Sequence, residues 1–397
     1  MSYLSISLVF FALISVVNGQ QLMSLSSFKG NNVQNPLNVP VPYSIYVSAH
    51  SDAENTLRNV FIVSGAESIS LYDLKNRRLD QNFGELERYI IKDSAYLKTL
   101  LSDDQLAKLD GVIYLSSPDQ VANNNFHVFD VNLDQNLKLD GLGEIDLTIL
   151  FLNTNMATGP KRSTLISQWS QNPNSLVYIY DGFPTGAIEP KNVQIFSNPM
   201  ATDMFNQYFP SVETFSISKV AFYMRTYKGA PNFRIEPGYA NLAGTYTTAF
   251  TTTGFYMKPM GQLDGAVQVN MMEDPKYSGW TGCNIIGYSP NGGMVSFDVY
   301  EGSNHYGQST VVTDFFASWN TPHIGHNFVI SSTTPKESVF YVQYFIVQGP
   351  LINGTTPLPG SQTTVVTTPK SPESTTKYSE KMNGLTALVL MMALRFL

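Results

Sequence analysis

Apolar and aromatic residues in this chain come in short runs that stop at turn residues. Residues 176–182, LVYIYDG, show the form, and it returns as NVFIVSG, ending at Gly65, and as VSFDVYEG, ending at Gly302. The three glycines are spaced by 117 and 120 residues. An apolar run of four to eight residues closed by a turn residue reads as a buried strand. Other strand-like runs flank each copy. Upstream are YSIYVSA (43–49), IDLTILFLN (145–153) and GAVQVNMM (265–272), with a shorter gap in the first copy. Downstream are SISLYDLKN (68–76), NVQIFSN (192–198) and TVVTDFF (310–316). A closing strand is clearest in the third copy, SVFYVQYFIV (338–347); NFHVFDVNL (125–133) and SKVAFYMRTY (218–227) stand in its place in the first and second.

The closing run of the third copy alternates two sets. Val339, Tyr341, Gln343 and Phe345 share one face, and Phe340, Val342, Tyr344 and Ile346 the other. Both sets are largely apolar, which predicts a central strand covered on both sides. Many short strands with Gly, Pro and Asn turns predict an all-β protein of tandem antiparallel β-sandwiches. The repeat of about 115 residues divides the chain into units at 20–138, 140–238 and 239–349. One stretch departs from this pattern. In GELERYIIKDSAYLKTLLSDDQLAKLDG (84–111), Leu86, Tyr89, Ile90, Leu97, Leu100 and Leu101 recur at helical spacing, which predicts a small helical insertion in the first unit. Ser102-Asp103-Asp104-Gln105 has the form of a helix cap inside it.

The ends predict display at a surface. An apolar run from Leu4 to Val17 precedes Asn18-Gly19, which reads as a signal peptide of residues 1–19 cleaved before Gln20; the run is too short to span a bilayer. Residues 350–376 contain NGTTPLPGSQTTVVTTPKSPESTT, a Thr/Pro/Ser-rich composition that cannot bury a core and reads as a glycosylated stalk. Asn353 lies in the one N-glycosylation sequon, Asn353-Gly354-Thr355. Small residues Ser374, Thr375 and Thr376, a polar spacer and an apolar tail to Leu397 form a GPI-type signal at 377–397, with Ser374 the attachment candidate. Arg395 is the one charge in that tail and runs against the pattern. The expected location is the outer face of the plasma membrane, held by a lipid.

Composition narrows the class. Hydrophobic residues make up 43% of the 397 and charged residues 14%, which is a folded chain. The 22 Tyr and 24 Phe favour sheets. A net charge of −7 argues against nucleic-acid binding. The single cysteine, Cys283, has no intramolecular partner and reads as a buried free thiol. Of five histidines only His323 and His326 are close, and Pro322 and Gly325 place them on a loop as surface residues. No nucleophile, zinc or phosphate-loop motif occurs, so no catalytic residue, metal or cofactor is expected. The aromatic stretch GYANLAGTYTTAFTTTGFYMKP (238–259) reads as packing within or between units.

A strand ending in IYDG, followed by QIFSN and then KVAFYMRTY in a sandwich of about 110 residues, resembles CUB domains. With the signal peptide, stalk and tail, the chain is similar to the low-cysteine CUB-like surface proteins of nematodes. The resemblance covers 140–349 best and 22–138 loosely. It implies a non-enzymatic binding role in pathogen response, with an extracellular carbohydrate or protein as partner. Calcium-binding CUB domains use acidic loop residues at one end of the sandwich, which makes Asp181 a weak metal candidate. Glu301 holds the same place in the third unit and Ser64 in the first; Glu189 and Asp203 are candidate partner acids. The alternative for Asp181-Gly182 is a plain tight turn. The two disulfides of ordinary CUB domains are absent. A structural or adhesive matrix protein is the alternative function, and a sandwich-based carbohydrate-active enzyme a third.

Overall fold

In the computed structural model the described residues lie within one compact unit. The description covers residues 19–352, apart from 80–83, 132, 143–145, 155–162, 186–193, 203–204, 241–245, 249, 259–265, 273–275, 289–291, 312–314 and 337. Asn353, Ser374, the apolar start up to Asn18 and the whole tail therefore lie outside it, as do Glu189 and Asp203.

Among the described residues, twenty-four strands carry the architecture. The first eight are β1 (Gln21–Ser24), β2 (Asn35–Pro36), β3 (Tyr43–Ala49), β4 (Val60–Ser64), β5 (Glu67–Ser70), β6 (Tyr89–Ile91), β7 (Ala95–Thr99) and β8 (Gly111–Leu115). Then come β9 (Gln135–Lys138), β10 (Leu147–Leu152), β11 (Thr164–Ser170), β12 (Leu176–Asp181), β13 (Gln194–Asn198), β14 (Phe215–Ile217), β15 (Ala221–Tyr227) and β16 (Asn232–Pro237). The last are β17 (Thr252–Lys258), β18 (Ala266–Met272), β19 (Tyr277–Tyr288), β20 (Met294–Glu301), β21 (Asn304–Val311), β22 (Phe315–Thr321), β23 (Asn327–Thr333) and β24 (Val339–Leu351).

The strand order repeats. One sheet reads β1-β8-β3-β6, then β9-β16-β11-β14, then β17-β24-β19-β22; these are the A sheets. The other reads β2-β7-β4-β5, then β10-β15-β12-β13, then β18-β23-β20-β21; these are the B sheets. Equivalent strands differ by eight in number throughout. An eight-strand double sheet wound in this order is a jelly roll, in which consecutive strands cross between the sheets except at the fourth and fifth, which pair with each other. Short extra strands extend the later sheets: Phe126–Asp130 lies parallel to β10, Tyr246–Thr248 parallel to β18, and Ser211–Val212 parallel to β17.

The fold is all-β and antiparallel in its main pairings, as the alternation predicts. The glycine-closed strands β4, β12 and β20 occupy one place: each is next to a sheet edge and turns back into the edge strand. Gly65, Gly182 and Gly302 have φ of +58°, +84° and +58°, with open space around an added Cβ. Conformation, not crowding, therefore favours glycine at these turns.

Two sequence expectations are corrected. Residues 84–111 are not a helical insertion. They contain β6, β7 and the start of β8, with helix only at Asp103–Leu106. In β7, Ala95, Leu97 and Thr99 are buried while Tyr96 and Lys98 are half-buried, a period of two, and Leu100 is 83% exposed. The Ser102 cap does form, its Oγ accepting from Gln105 N at 3.3 Å. Second, NFHVFDVNL does not close the first sandwich. Phe126–Asp130 pairs with β10 of the second, and the true closing strands are β8, β16 and β24. Likewise 43–49 is the third strand of its repeat, whereas 145–153 and 265–272 contain second strands, which accounts for the shorter first gap.

Each sandwich has an apolar interior, built on Ile45, Val47, Leu97 and Ile113 in the first, Ile149, Phe151, Ile179 and Phe222 in the second, and Val295, Phe297, Phe328 and Val342 in the third. The sandwiches are joined at two junctions. At the first, Tyr46 of β3 and Val112 and Tyr114 of β8 face outward onto Leu150, Leu152, Tyr180 and Tyr223 of the second B sheet. At the second, Phe255, Met257, Ile286 and Tyr341 of the third A sheet continue the core of the second sandwich beside Phe196 and Phe215. This explains why both faces of β24 are apolar: Phe340, Val342, Tyr344 and Ile346 fill its own sandwich, and Tyr341 and Phe345 face its neighbour.

Candidate functional site

Each glycine-closed strand ends beside the loop joining the sixth and seventh strands of its repeat, so the topology brings a polar residue onto a loop group three times. In the first repeat Ser64 Oγ donates to Ser94 O at 3.4 Å. In the second, Lys219 Nζ lies 2.7 Å from Asp181 Oδ2. In the third, His323 Nδ1 lies 3.3 Å from Glu301 Oε2.

A tyrosine completes the second and third sites, from different sources. Tyr341, from β24 of the next sandwich, donates its hydroxyl to Asp181 Oδ2 at 2.6 Å, and Lys219 Nζ sits 5.7 Å from its ring centroid. Tyr306, from β21 of the same repeat, donates to Glu301 Oε2 at 3.4 Å and stacks on His323 with centroids 4.0 Å apart and planes 9° from parallel. Burial, then the adjacent Asp181 charge, holds the Tyr341 hydroxyl well above the usual phenol range. Burial and Glu301 push Tyr306 the same way. His326 closes the third turn by accepting from Gly302 N at 3.2 Å.

Asp181 is thus a structural hub. Both the ammonium of Lys219 and the hydroxyl of Tyr341 fall on its Oδ2. Calcium is held by six to eight oxygens, and an ammonium against the carboxylate competes for the place of such an ion. Among the described residues no group of three or more His, Cys, Asp or Glu is arranged to hold a metal. Gln343 adds to the same junction. Its amide accepts from Ser197 N at 3.0 Å and donates to Ser197 O at 2.7 Å, so a side chain pairs with the edge strand β13 as a neighbouring strand would.

The first junction is polar in a different way. Asp130, fully buried, accepts from Ser48 Oγ at 3.0 Å and from Arg78 Nη2 at 2.6 Å. His127 Nδ1 lies 2.7 Å from Glu85 Oε1, and Tyr114 donates to Gln20 Oε1 at 2.6 Å. Cys283 lies in β19 between Trp319 and Tyr344, buried, with its thiol pushed far up by that burial. Such a thiol is inert.

Sequence reasoning found Asp181, Glu301 and Cys283 but not Lys219, Tyr341, Tyr306 or Asp130. The chain shows no local sign of these four, because each meets its partner across a loop, a hairpin or a sandwich boundary.

The chain belongs to the transmembrane glycoprotein family, whose model matches residues 41–393. This places it among surface-exposed glycoproteins and overturns the CUB-like resemblance. A strand closed by Asp-Gly is what an antiparallel hairpin asks for in any sandwich, so that likeness had little power to separate families. No curated protein matches. Solved structures of BuGH86 and of a variant, each in complex with neoagarooctaose, align at 10% identity and a TM-score of 0.13, over 54% of this chain and 33% of theirs. The chain thus spans about a third of those proteins, and the likeness carries no argument. Among the described residues no helix is long and apolar enough to cross a membrane.

Proposed function

We propose that this chain is a non-enzymatic binding protein displayed at the cell surface. One observation carries the reading: Asp181, on Lys219 and Tyr341, and Asp130, on Ser48 and Arg78, are engaged in contacts that tie sandwiches to one another. Three sandwiches joined by buried contacts make a rigid head for presenting binding faces. Membership in a family of transmembrane glycoproteins supports exposure to the outside. The stalk-like composition of 350–376 and the sequon at Asn353 fit a head held away from a membrane.

A ligand screen with the full displayed chain tests this. Microbial polysaccharide as ligand would assign it to pathogen response, and matrix protein to adhesion. Hydrolysis of any glycan, abolished by changing a single carboxylate, would overturn the reading. The lipid anchor is tested separately. Phosphatidylinositol-specific phospholipase C should release the protein from cells, and replacing Ser374, Thr375 and Thr376 with bulky residues should prevent attachment. Secretion of a form that retains Leu397 would count against the anchor.

A further inference from the structure

The three B sheets are equivalent in topology, but their outer faces differ. In the second, Leu150, Leu152, Tyr180 and Tyr223 are covered by the first sandwich. In the first, the outward positions include Phe61, Val63, Tyr96 and Lys98. In the third the register sets polar residues side by side. His305, Tyr300, Asn327 and Asn270 form one row, Gly307, Asp298, Val329 and Gln268 the next, and Ser309, Ser296, Ser331 and Ala266 a third.

This face is organised. His305 Nε2 lies 2.8 Å from Asp298 Oδ1, and its ring stacks on Tyr300 with centroids 5.0 Å apart. A Cβ at Gly307 would collide with the Asp298 carboxylate, so the glycine keeps the path between Asp298 and His305 open. Gln268 Nε2 donates to Asn270 Oδ1 at 3.1 Å, and Ser296 and Ser309 share a hydrogen bond at 2.6 Å. The His305 side chain is 53% exposed. Gln268, Gly307 and Ser309 are exposed as well.

We propose that the outer face of β18-β23-β20-β21 binds a neutral polysaccharide chain, a proposal that rests on the binding-protein reading above. The charge pattern selects the occupant. Among the described residues of these three rows there is no Lys or Arg, and the one acid is held against a histidine, so neither a polyanion nor a strongly basic partner finds its complement. Within these three rows the apolar side chains are Tyr300, Val329 and Ala266, fewer than at the chain's own junctions, and the exposed Met294 lies at the end of the face, so a protein partner is less well matched. Planar amides, a carboxylate and hydroxyls both give and take the hydrogen bonds of sugar hydroxyls, and an aromatic ring packs on the C–H face of a pyranose. A flat face suits an extended chain more than a single sugar.

The test uses the full chain displayed on cells, probed with fluorescent mannan, β-1,3-glucan and dextran, with heparin as the polyanion and a panel of matrix proteins alongside. Tyr300→Ala and Gln268→Ala should each weaken binding of a neutral polysaccharide, the former by at least about tenfold. Phe61→Ala, on the first B sheet, should leave it unchanged. If Tyr300→Ala lowers the surface level, Gln268→Ala on its exposed position carries the test alone. Neutral polysaccharide bound equally by every variant would overturn the face and keep the binding reading. So would binding of matrix protein or heparin with no neutral polysaccharide. No binding of any probe would overturn both.

Discussion

The turns at Asp181-Gly182 and Glu301-Gly302 end the same strand in successive repeats and carry the same three kinds of group: an acid, a nitrogen base from the loop beside it and a tyrosine. They differ in where the tyrosine comes from. In the second repeat it is Tyr341 of the following sandwich, so the turn becomes a joint. In the third it is Tyr306 of the adjacent strand, so the turn closes on itself. One local design thus ties a turn to the neighbouring sandwich in one repeat and to its own sheet in the next.

Changing the tyrosines separates the two most strongly. Tyr341→Ala removes a buried ring from the core shared by two sandwiches, and should cost about 3–5 kcal/mol, the range of large buried aromatic truncations. Tyr306→Ala should leave the midpoint of chemical unfolding nearly unchanged. Equal losses would erase the distinction between a turn tied to the next sandwich and one tied to its own sheet.

The acids come next. Asp181→Ala leaves the Tyr341 hydroxyl without its acceptor and should cost about 1–3 kcal/mol. Glu301→Ala breaks a pair in which the Glu301 side chain is 41% exposed and should cost below about 1 kcal/mol. Denaturant melts of both variants decide this.

The nitrogen bases can be exchanged. Lys219→His would place a titratable partner against Asp181. A histidine that gains a carboxylate has its folded pKa raised above its unfolded value of about 6.5. Its contribution would be fully present below that value and lost as pH rises through the folded pKa. Thermal stability of the variant should therefore fall between pH 6 and 8 relative to the parent; parallel profiles would sink the idea.

Alkaline titration tests the joint in the parent protein. The Tyr341 hydroxyl is held above its ordinary value of about 10 by burial and by Asp181, so the folded state keeps its proton longer than the unfolded chain. Stability is unaffected below pH 10 and falls as pH rises beyond it. Tyr46, at the first junction and pushed up to about 12, adds to the same decline. Tyr341→Phe should flatten part of the slope. The smallest effect concerns Cys283, which should resist thiol reagents at neutral pH until the chain unfolds. Rapid labelling of native protein would show that β19 opens.

The sequence by itself determined the all-β class, through period-two alternation in runs such as 339–347, and the glycine that ends β4, β12 and β20, whose positive φ other residues rarely adopt. It also determined that Cys283 stands alone. It misjudged 84–111, where leucines at helical spacing belong to strands whose burial is decided by the sheets around them. Only the tertiary structure decided that 126–130 joins the second sandwich and that Asp181 answers to Lys219 and Tyr341. The reason is distance along the chain: Asp181 and Tyr341 are 160 residues apart, and Gln343 and Ser197 are 146 apart. Alternation tells each strand that it has two faces, but which neighbour covers the second face is a property of how the sandwiches stack, and no local pattern encodes it.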